Sequence, residues 1–509
     1  MSSHQMKYGV ILSYASYFLS MASGLLLTPL LIRGMGNGQY GLYQLIGATV
    51  GYLGLLDFGF GAAVTRYVAK YNAENDTQGR ENFLGLVFAI YACMVALGVL
   101  LGAFVYVKIA LVFPNLHAEE LRQARLMWCF LVVSFGFSMI GNVFQGALSG
   151  SQEFIFTRSL AVGSELLRVL GTLFIIYRHY GAVELTLMGS LLGILSWIGC
   201  VVYFFRKLHY RIAFRFWNAG LFREMFGYSF FIFLGQMMSV MYWRIGIFIL
   251  GVLSTTGAVA VYSIAMNLNG IFLIFVTSIN SVLLPRLTHM VVQQATNAEK
   301  TEFVARVGRI ILFVYGYLLI GFSFFGRQFI SLWLGPDYQE AWTATMIVVW
   351  AAAIPRIQGA TNDLMKAMNR HQFLSIMYVA MGLLNVLVAV LLVKRLGIIG
   401  VAIGTATALI AGNLVIANIY YQRALGIQVR EFFRITFSRS GTALLASAGV
   451  ALLAGQLPFA GWRGFLIKGT CFTLAYLAIF WNYAWNANER SLVRSLVPEW
   501  FMSERNEAQ

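Results

Sequence analysis

The sequence predicts an all-α polytopic membrane protein of about fourteen transmembrane helices, built as two pseudo-symmetric six-helix lobes followed by two C-terminal helices. Three observations predict it. The 509 residues are 59% hydrophobic and only 11% charged, with mean hydropathy +0.73, whereas soluble domains carry about 25% charged residues. Apolar runs of about 20 residues, the length that crosses a roughly 30 Å hydrocarbon layer, recur from end to end. The chain also matches itself at a shift of 219 positions, which sets Gly38 on Gly257, Tyr43 on Tyr262, Phe154 on Phe373, Gly163 on Gly382 and Gly181 on Gly400.

Lipid obliges every backbone N–H and C=O to pair internally, so continuous apolar runs imply helices, while a β-barrel would show short alternating segments. The first seven spans are Gly9 to Ile32, Tyr40 to Ala63, Asn82 to Val107, Leu126 to Leu148, Ser159 to Tyr177, Val183 to Phe205 and Phe226 to Leu250. The other seven are Val259 to Leu284, Ile310 to Leu334, Trp342 to Leu364, Phe373 to Val393, Ile399 to Tyr421, Gly441 to Leu457 and Phe465 to Trp485. Spans one to six repeat as seven to twelve, and an even number per repeat gives both copies the same orientation. The expected organisation is an N-terminal lobe over 1–206, a basic connection over 207–223, a C-terminal lobe over 224–425, and two further spans with a tail over 426–509.

About two-thirds of the 36 Lys and Arg fall in connections on the side shared by both termini, which places the termini in the cytoplasm by the positive-inside rule. The densest cluster, RKLHYRIAFRFWNAGLFR at 206–223, reads as an amphipathic helix in the headgroup layer or as a loop that sets topology. The net charge of +16 is therefore a topological signal, and no nucleic-acid partner is expected. The start MSSHQMKYGV has no cleavage pattern of small residues, so the first span is expected to be retained. Cys93, Cys129, Cys200 and Cys471 stand singly in apolar segments, which points to no metal site. No connection is long enough for a soluble catalytic domain, and no GxxxxGK[ST] loop is present, so neither an enzyme, nor a cofactor, nor direct use of ATP is expected.

The stretch TPLLIRGMGNGQYGLYQLIGATVGYLGLLDFGFGAAVTRYVAKYNA, Thr28 to Ala73, and QGALSGSQEF after the fourth span resemble oligosaccharide flippases of the polysaccharide transporter family, within the multidrug, oligosaccharidyl-lipid and polysaccharide exporter superfamily. LLDFGFGAAVTRYVAKY is the most telling part. The resemblance implies a transporter of the bacterial inner membrane that moves an undecaprenyl-pyrophosphate-linked oligosaccharide for O-antigen, capsule or exopolysaccharide assembly. Its implied partners are that lipid, the bilayer and other polysaccharide-assembly membrane proteins. Neighbouring readings are a multidrug antiporter, which usually needs a carboxylate in the first span that this chain lacks, and a peptidoglycan-precursor flippase.

Ionisable groups inside spans are costly, by about 2.5–3.5 kcal/mol on insertion scales, and normally face a wet cavity or a partner. Arg168, Arg244 and Arg356 are candidates for binding a pyrophosphate, because a guanidinium fork matches phosphate oxygens and stays charged when desolvated. Glu165 lies three residues before Arg168, so a local ion pair competes with a substrate role. Asp57 and Arg66 approach the cytoplasmic end of the second span, where they either help to fix topology, the favoured reading, or pair as a gate. Asp363 follows Arg356 by seven residues, beyond a kink at Pro355. Asp57, Arg66, Glu165 and Asp363 are accordingly candidates for gating or for coupling to H⁺ or Na⁺, with the membrane potential as a further drive. At the 219-residue shift Arg168 meets Leu387, Arg244 meets Leu25 and Arg356 meets Phe137, so the halves share a scaffold but differ in chemistry. Gln236, Ser239, Tyr242, Asn267, Asn269 and Asn280 are polar groups that could meet sugar hydroxyls or bond neighbouring helices.

Overall fold

The structure, a computed structural model, describes residues 3–213, 219–280, 283–368, 370, 372–486 and 489–491. Residues 214–218 of the basic connection and the tail from 492 onward lie outside the described residues. Among the described residues the regular secondary structure is helical, with no strand. Among the described residues ten helices are long and apolar enough to cross a membrane, eleven if one bent pair counts as a single span.

The fourteen expected spans relate to that number as follows. The eleventh and twelfth fall in one long apolar stretch, Ile376–Ala424, but the backbone leaves the helix at Gly397, where φ is 53°, and turns back so that Gly404 lies against Asn385 and Ala389, giving two helices where two spans were expected. The seventh falls on Ala219–Trp243, a single helix of 25 residues some of whose side chains lie outside the described residues, and the tenth on Gln339–Ile357, which contains Pro355 and Arg356 and gives way to a second short helix, Gly359–Ala367.

Cα packing divides the chain into two units: Met1–Asn267 with Leu374–Thr405, and Leu268–Phe373 with Ala406–Gln509. The first unit contains α1 (Ser3–Met35), α2 (Asn37–Gly51), α3 (Phe60–Ala73), α4 (Thr77–Val112), α5 (Ala118–Gly150), α6 (Phe154–Tyr177), α7 (Ala182–Tyr203), α8 (Ala219–Trp243) and α9 (Ile245–Leu253). It also takes most of the first half of α10 (Thr256–Asn280) and much of α15 (Gln372–Leu409). In this unit α1 packs along α6, and α5 packs against α3, α4 and α7. Trp128 of α5 donates to the Gly102 carbonyl of α4 at 2.8 Å. The opposite faces show Leu100 and Phe104 of α4 and Leu170 and Phe174 of α6, large apolar side chains suited to lipid.

Two helices of this unit are broken. Between α2 and α3 the chain makes a 3-10 turn over Leu53–Asp57 and bends by 41°. Phe58 and Gly59 take left-handed conformations at φ 46° and 76°. A Cβ on Gly59 would sit 2.8 Å from the Ser229 carbonyl of α8, so glycine is required both by backbone sign and by space. The second break separates α8 from α9 at Arg244.

The described part of the basic connection departs from the amphipathic-helix reading. His209 to Ala213 is not helical. Tyr210 pins it: its hydroxyl donates to Asn72 at 3.1 Å and lies 3.0 Å from Ser151 Oγ, and the Arg80 guanidinium stacks 3.6 Å from the ring centroid. Lateral anchoring on α3, α4 and the end of α5 replaces the axial hydrogen bonds of a helix.

The second unit contains α11 (Leu284–Val292), α12 (Asn297–Trp333), α13 (Gln339–Ile357), α14 (Gly359–Ala367), α16 (Ala417–Ala424), α17 (Val429–Gly455) and α18 (Gly461–Ile479), with the remaining parts of α10 and α15. Thr296 and Glu299 form a reciprocal capping box at the start of α12, satisfying two otherwise orphaned donors. Ala443, Ser447, Ala451 and Ala454 lie buried along α17, so α12 and α18 approach closely and pack Phe325, Phe472 and Tyr476 into one cluster. Arg309 of α12 makes a two-pronged pair with Glu489, at 2.7 and 3.0 Å, and also donates to the Ala484 carbonyl at 2.9 Å.

Candidate functional site

Arg168 sits in the middle of α6, and its fork is partly committed. Nε donates to Glu165 Oε2 at 2.9 Å, and Nη2 donates to Glu165 Oε1 at 2.5 Å and to Ser23 Oγ at 3.0 Å. Ser23 donates in turn to Glu165 Oε1 at 2.5 Å, so one hydroxyl on α1 is woven into the ion pair. The local pairing foreseen from the i, i+3 spacing is therefore present. Glu165 is sheltered, with a side chain 14% exposed, while that of Arg168 is 39% exposed. Its Nη1 makes no hydrogen bond among the described residues and is left for a ligand or water.

That guanidinium lines a cavity of about 220 Å³ together with Ser23, Thr28, Tyr40, Tyr43, Gln44 and Asn267. The lining combines one cation with phenol, amide and hydroxyl groups, a chemistry that accepts phosphate and sugar oxygens. Tyr40 and Gln44 are linked at 2.7 Å.

Arg244 occupies the joint between α8 and α9 and is exposed. Its Nη1 lies over Gly51 of α2, where any added Cβ would overlap it. The hydroxyl of the next residue, Tyr52, is buried without a hydrogen-bond partner among the described residues. Gln44 and Gly51 are seven residues apart, which puts them on nearly the same face of α2 about 10 Å apart along its axis. Arg168 thus shares a cavity with Tyr40, Tyr43 and Gln44 of α2, and Arg244 lies over Gly51 at the end of the same helix.

Asp57 is placed elsewhere. It ends the turn between α2 and α3 and is 8% exposed. Its Oδ1 accepts from Tyr91 Oη of α4 at 2.5 Å and from Asn142 Nδ2 of α5 at 3.3 Å. Arg66, proposed from sequence as its gating partner, turns instead to the ring of Tyr228, 4.5 Å from its centroid. No ion pair joins Asp57 and Arg66 among the described residues. The nine-residue separation includes the break at Phe58 and Gly59, so helical periodicity does not carry from one to the other.

In the second unit Arg356 is buried at the C-terminal end of α13, one residue after the in-helix Pro355. Asp363 is on α14 and pairs with Lys366 at 2.8 Å. Gln358, at the α13–α14 joint, donates to Asn418 of α16 at 2.7 Å. Among the polar candidates, Asn267 lines the Arg168 cavity, whereas Tyr242 donates to the Thr405 carbonyl at 2.9 Å as a helix-to-helix bond. Asn269 is buried and Gln236 exposed. The side chains of Ser239 and Asn280 lie outside the described residues. No group of three or more His, Cys, Asp or Glu able to hold a metal ion occurs among the described residues.

Sequence reasoning missed Ser23, Tyr40, Gln44, Tyr91 and Asn142. Ser23, Tyr91 and Asn142 are single hydroxyls or amides whose carboxylate partners lie on other elements, whereas Tyr40 and Gln44, four residues apart on α2, carried a local spacing signal, as Glu165 and Arg168 did.

Residues 6–291 match the family described as polysaccharide biosynthesis protein. The chain is 20% identical to the uncharacterized membrane protein EpsK of Bacillus subtilis (strain 168) over 491 residues, 94% of this chain and 95% of that protein. Its fold is similar to that of the lipid II flippase MurJ in an inward closed conformation, with a TM-score of 0.73 at 17% identity, covering 92% of this chain and 98% of that one. It is also similar to an inward-facing multidrug resistance MATE family transporter of the MOP superfamily, with a TM-score of 0.62 at 16% identity, covering 80% and 96%. The chain, a multi-pass membrane protein with a fold like those of this flippase and this transporter, belongs to the polysaccharide biosynthesis protein family.

Proposed function

We propose that this protein is a flippase that carries a polyprenyl-pyrophosphate-linked oligosaccharide from the cytoplasmic to the outer leaflet of a bacterial inner membrane, with both termini in the cytoplasm. The observation that carries the reading is the pair of arginines that meet α2: Arg168 lines a polar cavity with Tyr40, Tyr43 and Gln44, and Arg244 lies over Gly51 at the end of the same helix. A level separation of about 10 Å suits a headgroup longer than one phosphate, with the pyrophosphate at one cation and the first sugar among Tyr43, Gln44 and Asn267. Phenol and amide groups offer hydrogen bonds to hydroxyls without demanding one sugar. The polyprenyl tail remains in lipid, and alternating exposure of the site completes transfer without a covalent step. Outward movement of negative charge is favoured by about 2.3 kcal/mol per charge per 100 mV when the inside is negative.

The test is to delete the gene and identify the lipid-linked sugar that accumulates on the cytoplasmic leaflet. A polyprenyl-pyrophosphate oligosaccharide is expected. Accumulation of the peptidoglycan precursor would reassign the cargo, and drug sensitivity without lipid accumulation would overturn the reading. Arg244→Ala and Arg244→Lys should each lower export at least tenfold, because bidentate geometry as well as charge is lost; wild-type export by the alanine variant at normal protein level would remove Arg244 from the site.

A further inference from the structure

Asp57 is a buried carboxylate that the proposed substrate site does not use. It has no cationic partner among the described residues, where the ion pairs are Arg122–Glu119, Arg168–Glu165, Arg306–Glu302, Arg309–Glu489, Lys366–Asp363 and Arg434–Glu431. Its surroundings come from four elements. Tyr91 on α4 is the titratable group facing it, and Asn142 on α5 supplies an amide. On α3, Gly61 lies beside Oδ2. On α8, the Phe233 ring lies 4.6 Å from that of Phe58 at a tilt of 34°, and Ile232 and the Ser229 carbonyl lie against Gly59. Arg66, the charged residue nearest along α3, faces Tyr228.

We propose that Asp57 is a proton-binding site that controls the break between α2 and α3. In the ionised form Oδ1 accepts both the Tyr91 hydroxyl and the Asn142 amide, which ties the break to α4 and α5. Proton uptake from water converts the carboxylate to a carboxylic acid, whose new O–H must donate and whose remaining carbonyl accepts less strongly. The two inward donors then lose part of their acceptor, and the tie loosens. The segment released contains Phe58 and Gly59 in left-handed conformations, an arrangement that persists only while neighbours hold it. Release would allow α3 to move relative to α8, which packs on the same two residues. The donor-rich setting favours a proton over Na⁺, because two of the groups nearest the carboxylate present hydrogens rather than free oxygens.

The full-length protein in liposomes, without added substrate, can be titrated by infrared spectroscopy across a pH range of about 4 to 9, alongside backbone hydrogen exchange of residues 58–62 corrected for intrinsic rates. A protonated-carboxyl band is expected whose midpoint coincides with increased exchange and which is lost in Asp57→Asn. Tyr91→Phe and Asn142→Ala should each raise that midpoint by about one unit, a tenfold gain in proton affinity, by removing a donor to the anion. An unchanged band in Asp57→Asn, or a midpoint indifferent to both donor variants, would overturn the assignment. Exchange that responds to NaCl at fixed pH, with choline chloride as control, would make this a sodium site instead. Because no lipid-linked substrate is present, either failure leaves the flippase reading standing.

Discussion

Two carboxylates in the first packing unit meet the low-dielectric interior differently. Glu165 is neutralised by a guanidinium three residues away and steadied by Ser23, so its charge is matched locally. Asp57 is steadied by the neutral donors Tyr91 and Asn142, which come from distant parts of the chain. A paired carboxylate resists protonation because its partner would be stranded, whereas one held by neutral donors can gain a proton without leaving a buried charge behind. The difference assigns an electrostatic scaffold to Glu165, where it orients Arg168 toward the cavity, and a switching role to Asp57.

The comparison can be sharpened by substitution, from the largest effect downward. Glu165→Ala strands Arg168 and should cost about 2 kcal/mol in denaturant unfolding, less than the 3–5 kcal/mol of a fully buried pair because Arg168 is partly exposed. Adding Arg168→Ala should recover about half of that, and strict additivity in the cycle would show that the pair is not coupled. Tyr91→Phe removes a hydrogen bond to a charged group and should cost about 1.5 kcal/mol at neutral pH. The deficit should shrink as the pH falls through the Asp57 midpoint, since a protonated acceptor benefits less from that donor, and a deficit constant with pH would contradict the contrast. Ser23→Ala should cost about 1 kcal/mol and leave that pH dependence unchanged. Gly51→Ala should change stability by less than about 0.5 kcal/mol, because the overlapping atom is the end of the flexible Arg244 side chain. It should still reduce export several-fold by displacing the guanidinium, and full export would place the Arg244 fork outside the transport path.

Hydropathy was enough to read the membrane class and the positions of the helices, since burial in lipid is a property of each segment alone. Helix ends were less legible: the sequence reads one span over Trp342 to Leu364, where the chain passes from α13, with Pro355 inside it, through Gln358 into the short α14. The pairing of Glu165 with Arg168 was legible because helical spacing encodes it. The partnership of Asp57 with Tyr91 and Asn142 was not, as it spans 34 and 85 residues and depends on how α4 and α5 pack. Nor could helical spacing separate Asp57 from Arg66 without knowledge of the left-handed turn between them.

The central claim is that the arginines along α2 recognise a lipid-linked pyrophosphate glycan. Purified protein in liposomes should make a labelled polyprenyl-pyrophosphate oligosaccharide accessible to an enzyme added on the opposite side. The rate should fall at least tenfold in Arg244→Ala, and the same glycan on an uncharged lipid should move slowly in both proteins. Equal movement of the charged and uncharged lipids, with no effect of Arg244→Ala, would contradict the account.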